Sequence, residues 1–365
     1  MLPSRTTFHE LFKIFDMILV FFKKFSNLFC FVLNIIVHNI HTQKLTLDWV
    51  EDMGIDAAEF WNNLYYSYPP YSYEESRSNN QIDLQASGCF ASHFINTVSP
   101  TFLKEIVDGW HSFVPDSIRN EIRNKYNAGC ASGILNAPDP IDNPVTDDKI
   151  PFKYGPDNHW EMKRKNKVAL QHALGLEENP DAPLFFWPSR LDPVQKGPQL
   201  LTDITYRFLE KYHDQGAQIA IIANGPFQQA FWDIRNFHGI GNRLAVRNFD
   251  ARLSQLGFAA SDFTFMPSLF EPCGLPQMQA PIYGSLAIAH NTGGLHDTVD
   301  MLDWGASKGN GFVFDIYDSQ GLMWAMDKAM EFYREPRELR EREISRIMSE
   351  SLTRFNHKEC ARRYI

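Results

Sequence analysis

What the chain lacks excludes several classes before any motif is read. There is no excess of basic charge: 35 Lys and Arg stand against 44 Asp and Glu, a formal net charge of -9. Without a general positive field to hold a phosphate backbone, nucleic acid is not the expected partner, and any anion site must be a local arrangement of a few Arg and Lys. Cysteine is scarce. Its five residues, Cys30, Cys89, Cys130, Cys273 and Cys360, are odd in number and scattered, with no CxxC pair for zinc or redox chemistry. A reducing, cytoplasmic setting is the expectation. His38 and His41 lie three apart, but no nearby carboxylate completes a zinc set, so no metal is expected.

Long apolar runs are also missing. Phe8 to Val37 is rich in Phe, Leu, Ile and Val, yet Lys13, Asp16, Lys23 and Lys24 interrupt it. The uninterrupted stretches fall short of the roughly 18 to 20 residues that span a bilayer, and no small-residue cleavage site follows them. The expectation is a buried helix followed by a buried strand over Leu28 to Val37, with no membrane association. No internal repeat is found.

What is present is a soluble-protein composition, 44% hydrophobic and 22% charged over 365 residues, long enough for two lobes with separate cores. From Pro183 onward, apolar β-rich runs alternate with amphipathic stretches, the pattern of a parallel sheet with crossover helices. Strands are expected at Leu184 to Ser189, Gln218 to Ala223, Leu244 to Asn248, Phe263 to Pro267, Leu286 to His290 and Gly311 to Phe314, with helices such as Pro198 to Tyr212 and Gly321 to Tyr333. Such Rossmann-like domains bind ligands at the carboxyl ends of their strands. Upstream, a Tyr-rich loop (Tyr65, Tyr66, Tyr68, Tyr71, Tyr73) offers sugar-stacking rings, although a loop packing on its own rings is the simpler reading. The Pro- and Asp-rich stretch from Pro138 to Asp157 reads as an interdomain linker. The expected division is therefore 1–180, 181–345 and a C-terminal helix over 346–365 that crosses back to the first domain.

Four constellations fall where such a domain would place its ligand. Ser189-Arg190-Leu191 with Gln195-Lys196-Gly197 places two cations six residues apart, where they can clamp a diphosphate. Solvated loop cations are the bland alternative. Phe270-Glu271-Pro272-Cys273-Gly274-Leu275 opens into a helix, whose unpaired N–H groups favour an anion or sugar hydroxyls, while Glu271 can stabilise positive charge at an anomeric carbon. Taken alone, Glu271 is better read as an ordinary helix-entry residue favoured by the helix dipole. Thr292-Gly293-Gly294-Leu295, followed by Asp297-Thr298-Val299, reads as an anion nest or simply a turn. Gly309-Asn310-Gly311-Phe312 is read as a structural turn.

In this order and spacing the motifs resemble the bacterial-type starch and glycogen synthase family of retaining glycosyltransferases with two Rossmann-like domains (GT-B). The likeness extends upstream through Asn96-Thr97-Val98-Ser99-Pro100, Gly133-Ile134-Leu135-Asn136, Asn143-Pro144 with Thr146-Asp147, and weakly Val37-His38-Asn39, covering most of the chain from about residue 36. The resemblance implies an α/β fold and transfer of glucose from ADP-glucose to the non-reducing end of an α-1,4-glucan, with retention and without a cofactor. It implies that Arg190 and Lys196 hold the donor phosphates. Glu271, Cys273, Gly274 and Leu275 would hold the glucose, His38 would approach it from the other lobe, Asn136 would line the cleft, and Thr292, Gly293 and Gly294 would add substrate contacts.

The sequence also departs from the family. The Lys-containing Gly-Gly loop that begins the family's first domain has no counterpart, since the one Gly-Gly pair is Gly293-Gly294. The His-Asp-Trp stretch is missing, and the family's Asn-Gly-Ile-Asp reads Asn136-Ala137-Pro138-Asp139. An incomplete first domain, completed by a missing segment or a partner, is therefore expected. A non-catalytic glucan- or nucleotide-binding remnant is the alternative.

Overall fold

The computed structural model describes residues 34–38, 40 and 43–365. The helix expected in the opening apolar stretch lies outside them. Packing divides the chain into two units, Met1–Thr97 with Lys104–Ser132, and Val98–Leu103 with Gly133–Ile365.

The first unit is built on short strands: β1 (Asn34–Val37), β2 (Lys44–Leu45), β3 (Ile82–Asp83), β4 (Phe94–Thr97) and, up to Ser132, β5 (Ala131–Gly133). β1 and β4 run parallel, with Ile35 opposite Ile95. In the described three-stranded sheet β1 ends the row. Of the buried strand expected over Leu28 to Val37, the part before Asn34 lies outside the described residues; in the described part only Val37 is buried, and Ile36 is 42% exposed. A separate small cluster gathers Leu47, Val50, Ile55, Ala57 and Ile82. Beside it the Tyr-rich segment packs on neighbouring rings rather than its own: Tyr65 meets Phe90 edge-on, and Tyr73 lies against Trp61. Tyr71 alone of the five is fully open to solvent, at 88%.

The second unit contains β6 (Leu184–Trp187), β7 (Gln218–Ile222), β8 (Leu244–Arg247), β9 (Phe263–Met266), β10 (Leu286–His290) and β11 (Gly311–Phe314). Their order across the sheet is β11-β10-β9-β6-β7-β8, with neighbouring strands parallel. This is the doubly wound order, and the chain reverses direction across the sheet between β6 and β9. All four residues of β6 are buried because both faces are covered. Phe185 and Trp187 enter one apolar cluster with Phe208, Phe265 and Phe312, while Leu184 and Phe186 enter the other with Leu170, Phe258 and Tyr283. The period of two along a strand thus feeds two cores from one run of four residues.

Three expectations about boundaries change. The Pro138 to Asp157 stretch is no free linker, because Ile150 and Tyr154 sit in the second cluster and the Tyr154 hydroxyl donates to the carbonyl of Tyr283 at 2.8 Å. With the helix His159–Leu174 it is counted in the second unit, so packing sets the division at 132/133 rather than at 180. The helix expected over Pro198 to Tyr212 is two, Pro198–Thr202 and Thr205–Lys211, and the Thr202 hydroxyl turns back to the Gln199 carbonyl at 2.8 Å just before the break. Instead of one helix over 346–365 there are Arg337–Arg354 and His357–Arg362, the second capped by Asn356, whose side chain accepts from the Glu359 N–H at 3.0 Å. All of 346–365 is counted in the second unit.

Candidate functional site

The loop after β6 is fixed at both ends. Leu191 is fully buried and its N–H donates to the Asn224 carbonyl at 2.9 Å. Asp192 closes a turn by accepting from the Val194 and Gln195 N–H groups at 2.9 and 3.3 Å, and its carbonyl accepts from the Lys196 N–H at 2.8 Å. Gly197 then takes φ +70, and a Cβ there would stand 2.2 Å from the Pro267 carbonyl oxygen. No residue but glycine lets the loop come so close to the end of β9.

That approach brings Lys196 onto Glu271. The ammonium lies 2.5 Å from Glu271 Oε2, with the side chains only 13% and 6% exposed. The same oxygen accepts from the Ser268 hydroxyl at 3.0 Å. Ser268 is itself held through its carbonyl, which lies 2.8 Å from Nδ1 of the buried His290 at the end of β10. The pair stands at the carboxyl ends of β6 and β9, the two strands flanking the reversal of strand order, where doubly wound folds bind ligands. Arg190, expected to act with Lys196, is in a different state: its side chain is 72% exposed and its nearest carboxylate, Asp192, is 3.8 Å away. It stands on an open groove shared with Asn224, Gly225 and the half-exposed Phe249.

The Thr292-Gly293-Gly294 turn does something other than the nest its sequence suggested. The Gly294 N–H donates to the Glu271 carbonyl at 2.9 Å. Cβ atoms on Gly293 and Gly294 would lie 2.1 Å from the Glu271 carbonyl oxygen and 2.0 Å from that of Cys273. The glycine pair therefore seats the Glu271 loop against the helix Gly293–Thr298, and the Gly294 N–H is committed to protein rather than open to a phosphate. Thr292 is buried, and its N–H donates to the His290 carbonyl at 2.9 Å.

Gly274 has φ +73 and precedes the helix Pro276–Ile282. The Gln277 amide donates to the carbonyls of Cys273 and Gly274 at 2.8 and 3.1 Å, which fixes this turn, while Leu275 is 44% exposed beside it. Burial pushes the Cys273 thiol up to about 12, a hydrogen bond from the Asn136 backbone lowering it by less. Cys273 is thus a neutral packing group near Asn136, not a thiolate nucleophile. His38 belongs to the first unit and is exposed directly after β1.

Sequence reading missed Ser268, His290 and the use of Asp297. The Asp297 carboxylate accepts from the Ser99 hydroxyl, from the Thr101 hydroxyl at 2.6 Å and from the Thr101 N–H at 3.2 Å, tying the Asp-Thr-Val motif to the Val-Ser-Pro motif. Both motifs were visible; that one caps the other was not. The Gly309-Asn310-Gly311 turn is structural as read, Asn310 bridging the Asp300 N–H at 2.7 Å and the Thr298 carbonyl at 2.9 Å. Among the described residues no group of three or more His, Cys, Asp or Glu is placed to hold a metal ion, and no helix is long and apolar enough to cross a membrane.

Residues 174–346 match the family model described as Glycosyl transferases group 1. Among curated relatives, the chain is 34% identical over 307 residues to a glycogen synthase of Variovorax paradoxus (strain S110), covering 81% of the chain and 57% of the relative. It is 32% identical over 299 residues to a glycogen synthase of Bacillus cereus (strain ATCC 10987 / NRS 248), covering 81% and 59%. The chain thus spans less than two thirds of the relatives it matches. In structure it is similar to the catalytic domain of starch synthase IV from Arabidopsis thaliana bound to ADP and acarbose, with TM-score 0.72, 26% identity, and coverage of 91% of this chain and 66% of that one. A sucrose-phosphate synthase from Thermosynechococcus elongatus, 15% identical with TM-score 0.53, shares the fold. The architecture is that of the GT-B glycosyltransferases.

Proposed function

We propose that the chain is a starch/glycogen synthase-type glycosyltransferase, taking glucose from ADP-glucose and adding it, with retention, to the non-reducing end of an α-1,4-glucan in the cytoplasm. One observation carries the reading: a buried Lys196–Glu271 pair at the strand reversal, with the exposed guanidinium of Arg190 on the same loop. The site supplies both charges that transfer of a glucosyl group from a diphosphate demands. As the bond from C1 to the diphosphate oxygen breaks, negative charge grows on the leaving group and positive charge at C1. Lys196 and Arg190 face the first; Glu271, held by Ser268 and the Gly294 N–H, faces the second. The acceptor 4-hydroxyl forms the new bond to C1 on the face the diphosphate leaves, and its proton passes to the departing diphosphate. Asn136, Cys273, Gly274, Leu275, Thr292 and Gly293 shape the glucose side. No cofactor takes part.

The starch synthase neighbour, whose described complex contains ADP and acarbose, supports this donor and acceptor class. The experiment is incorporation of labelled glucose from ADP-glucose into glycogen, run beside ADP binding and repeated with UDP-glucose. Incorporation above an enzyme-free blank, removed by Glu271→Gln, supports transfer. ADP binding without incorporation identifies a nucleotide-binding remnant, and neither binding nor incorporation overturns the reading.

A further inference from the structure

A second pocket lies at the opposite end of the sheet, beside Asp262, Phe263 and Leu286 at the amino ends of β9 and β10. In a chain of net charge -9, it gathers Lys163, Arg164, Lys167 and Arg340 around two carboxylates, Asp181 and Asp262. Two of the cations are paired: Arg164 with Asp181, one contact of the fork at 3.1 Å, and Lys167 with Asp262 at 2.6 Å. Lys163 donates to the carbonyls of Ala259, Ser261 and Tyr283 at 3.1, 2.9 and 2.8 Å. Burial pushes it down to about 7. Even with Lys163 neutral, three cations face two carboxylates.

Arg340 stands apart. Its guanidinium lies over the rings of Trp160 and Tyr333, at 5.0 and 4.7 Å from their centroids, and its Nε is buried with no hydrogen-bond partner among the described residues. A guanidinium carries five donors in a fixed fork suited to planar bidentate recognition of oxyanions, and the rings fix its plane without using any of them. A second buried nitrogen on the pocket wall, His159 Nε2, also lacks a partner among the described residues, but because Nδ1 donates to the Pro156 carbonyl at 2.7 Å it is an acceptor in the neutral ring and adds no donor for an oxyanion. Phe263, Leu286 and Phe332 give the pocket an apolar side as well.

We propose that this pocket binds a small phosphate-type dianion, inorganic phosphate or a phosphate monoester, through Arg340. The site is separate from the donor site, which lies at the other ends of the same strands, and it does not depend on the transferase reading. The charge excess favours a dianion, and the apolar side suits the carbon body of a monoester.

The test is calorimetric titration of the full chain, at constant ionic strength, with inorganic phosphate and separately with glycerol 2-phosphate, with acetate as a monoanion control. Because phosphate also suits the Lys196 site, Lys196→Ala and Arg340→Gln are compared. Loss of a charge-assisted contact predicts about tenfold weaker phosphate binding in Arg340→Gln, while Lys196→Ala, which removes only the binding at the donor site, keeps the binding that depends on Arg340. Arg340→Lys keeps the charge but loses the fork, and serves if the Gln variant does not fold; it too should bind about tenfold more weakly. Tighter binding of glycerol 2-phosphate than of phosphate identifies a monoester site, and the reverse identifies a site for the free ion. Equal phosphate affinity in the Arg340 variants and the parent, binding abolished by Lys196→Ala, or no phosphate binding by the parent each overturns the proposal.

Discussion

The two ends of one loop meet the same proposed ligand in opposite states of preparation. At the buried end Lys196 is already charge-paired, with Glu271 and Ser268 fixed around it by Gly197 and Gly294. At the open end Arg190 lies 72% exposed on a groove. The difference separates two jobs that the sequence could not tell apart. A buried ion pair is weak evidence for net stability, yet removing one partner is costly because the other charge is left without a partner. A solvated arginine contributes almost nothing to folding and keeps its whole donor fork for the ligand. Lys196 is therefore bound up with the integrity of the site, and Arg190 with capture.

The sharpest way to break this contrast is to remove the lysine. Lys196→Ala leaves the Glu271 carboxylate buried without its cation, so urea denaturation should show a loss of about 3 kcal/mol; a loss below about 0.5 kcal/mol would show that the pair is wetter than its burial implies. Next comes Glu271→Gln. Charge that matters as C1 becomes cationic acts on the transition state, so glucose incorporation should fall by about 10²–10³ while ADP affinity changes by less than threefold. An equal loss in both would make Glu271 a binding residue. Smaller again is Asp297→Ala, which removes three acceptor contacts from Ser99 and Thr101. About 1.5–3 kcal/mol of stability should go with them, and ADP affinity should hold. The smallest expected effect is none: dialysis against a chelator should leave ADP binding and incorporation unchanged, since the two cations supply the countercharge.

The sequence made the six strands of the second unit legible because burial on both faces writes them as short apolar runs, Leu184 to Trp187 and Leu286 to His290 among them. Breaks and edges were less legible. The helix break after Thr202 turns on a hydroxyl bond to the Gln199 carbonyl, and Ile36, apolar in sequence, is half exposed at the end of its described sheet. The motifs of the site were visible, but not what they do to each other. Lys196 and Glu271 are 75 residues apart and meet because β6 and β9 are neighbours, which depends on strand order. The glycine pair looked like a donor nest and is a seat for the Glu271 loop, a distinction that rests on the 2.9 Å bond from the Gly294 N–H.

The central claim, that Arg190 captures a donor diphosphate while Lys196 belongs to the prepared half of its site, is tested most directly by calorimetric titration of ADP into the full chain, Arg190→Ala and Lys196→Ala, each paired with its denaturation curve. The account predicts ADP binding by the parent and affinity about tenfold weaker in Arg190→Ala with stability within about 0.5 kcal/mol of the parent. It predicts that Lys196→Ala loses both affinity and stability. ADP affinity unchanged in both variants would contradict it.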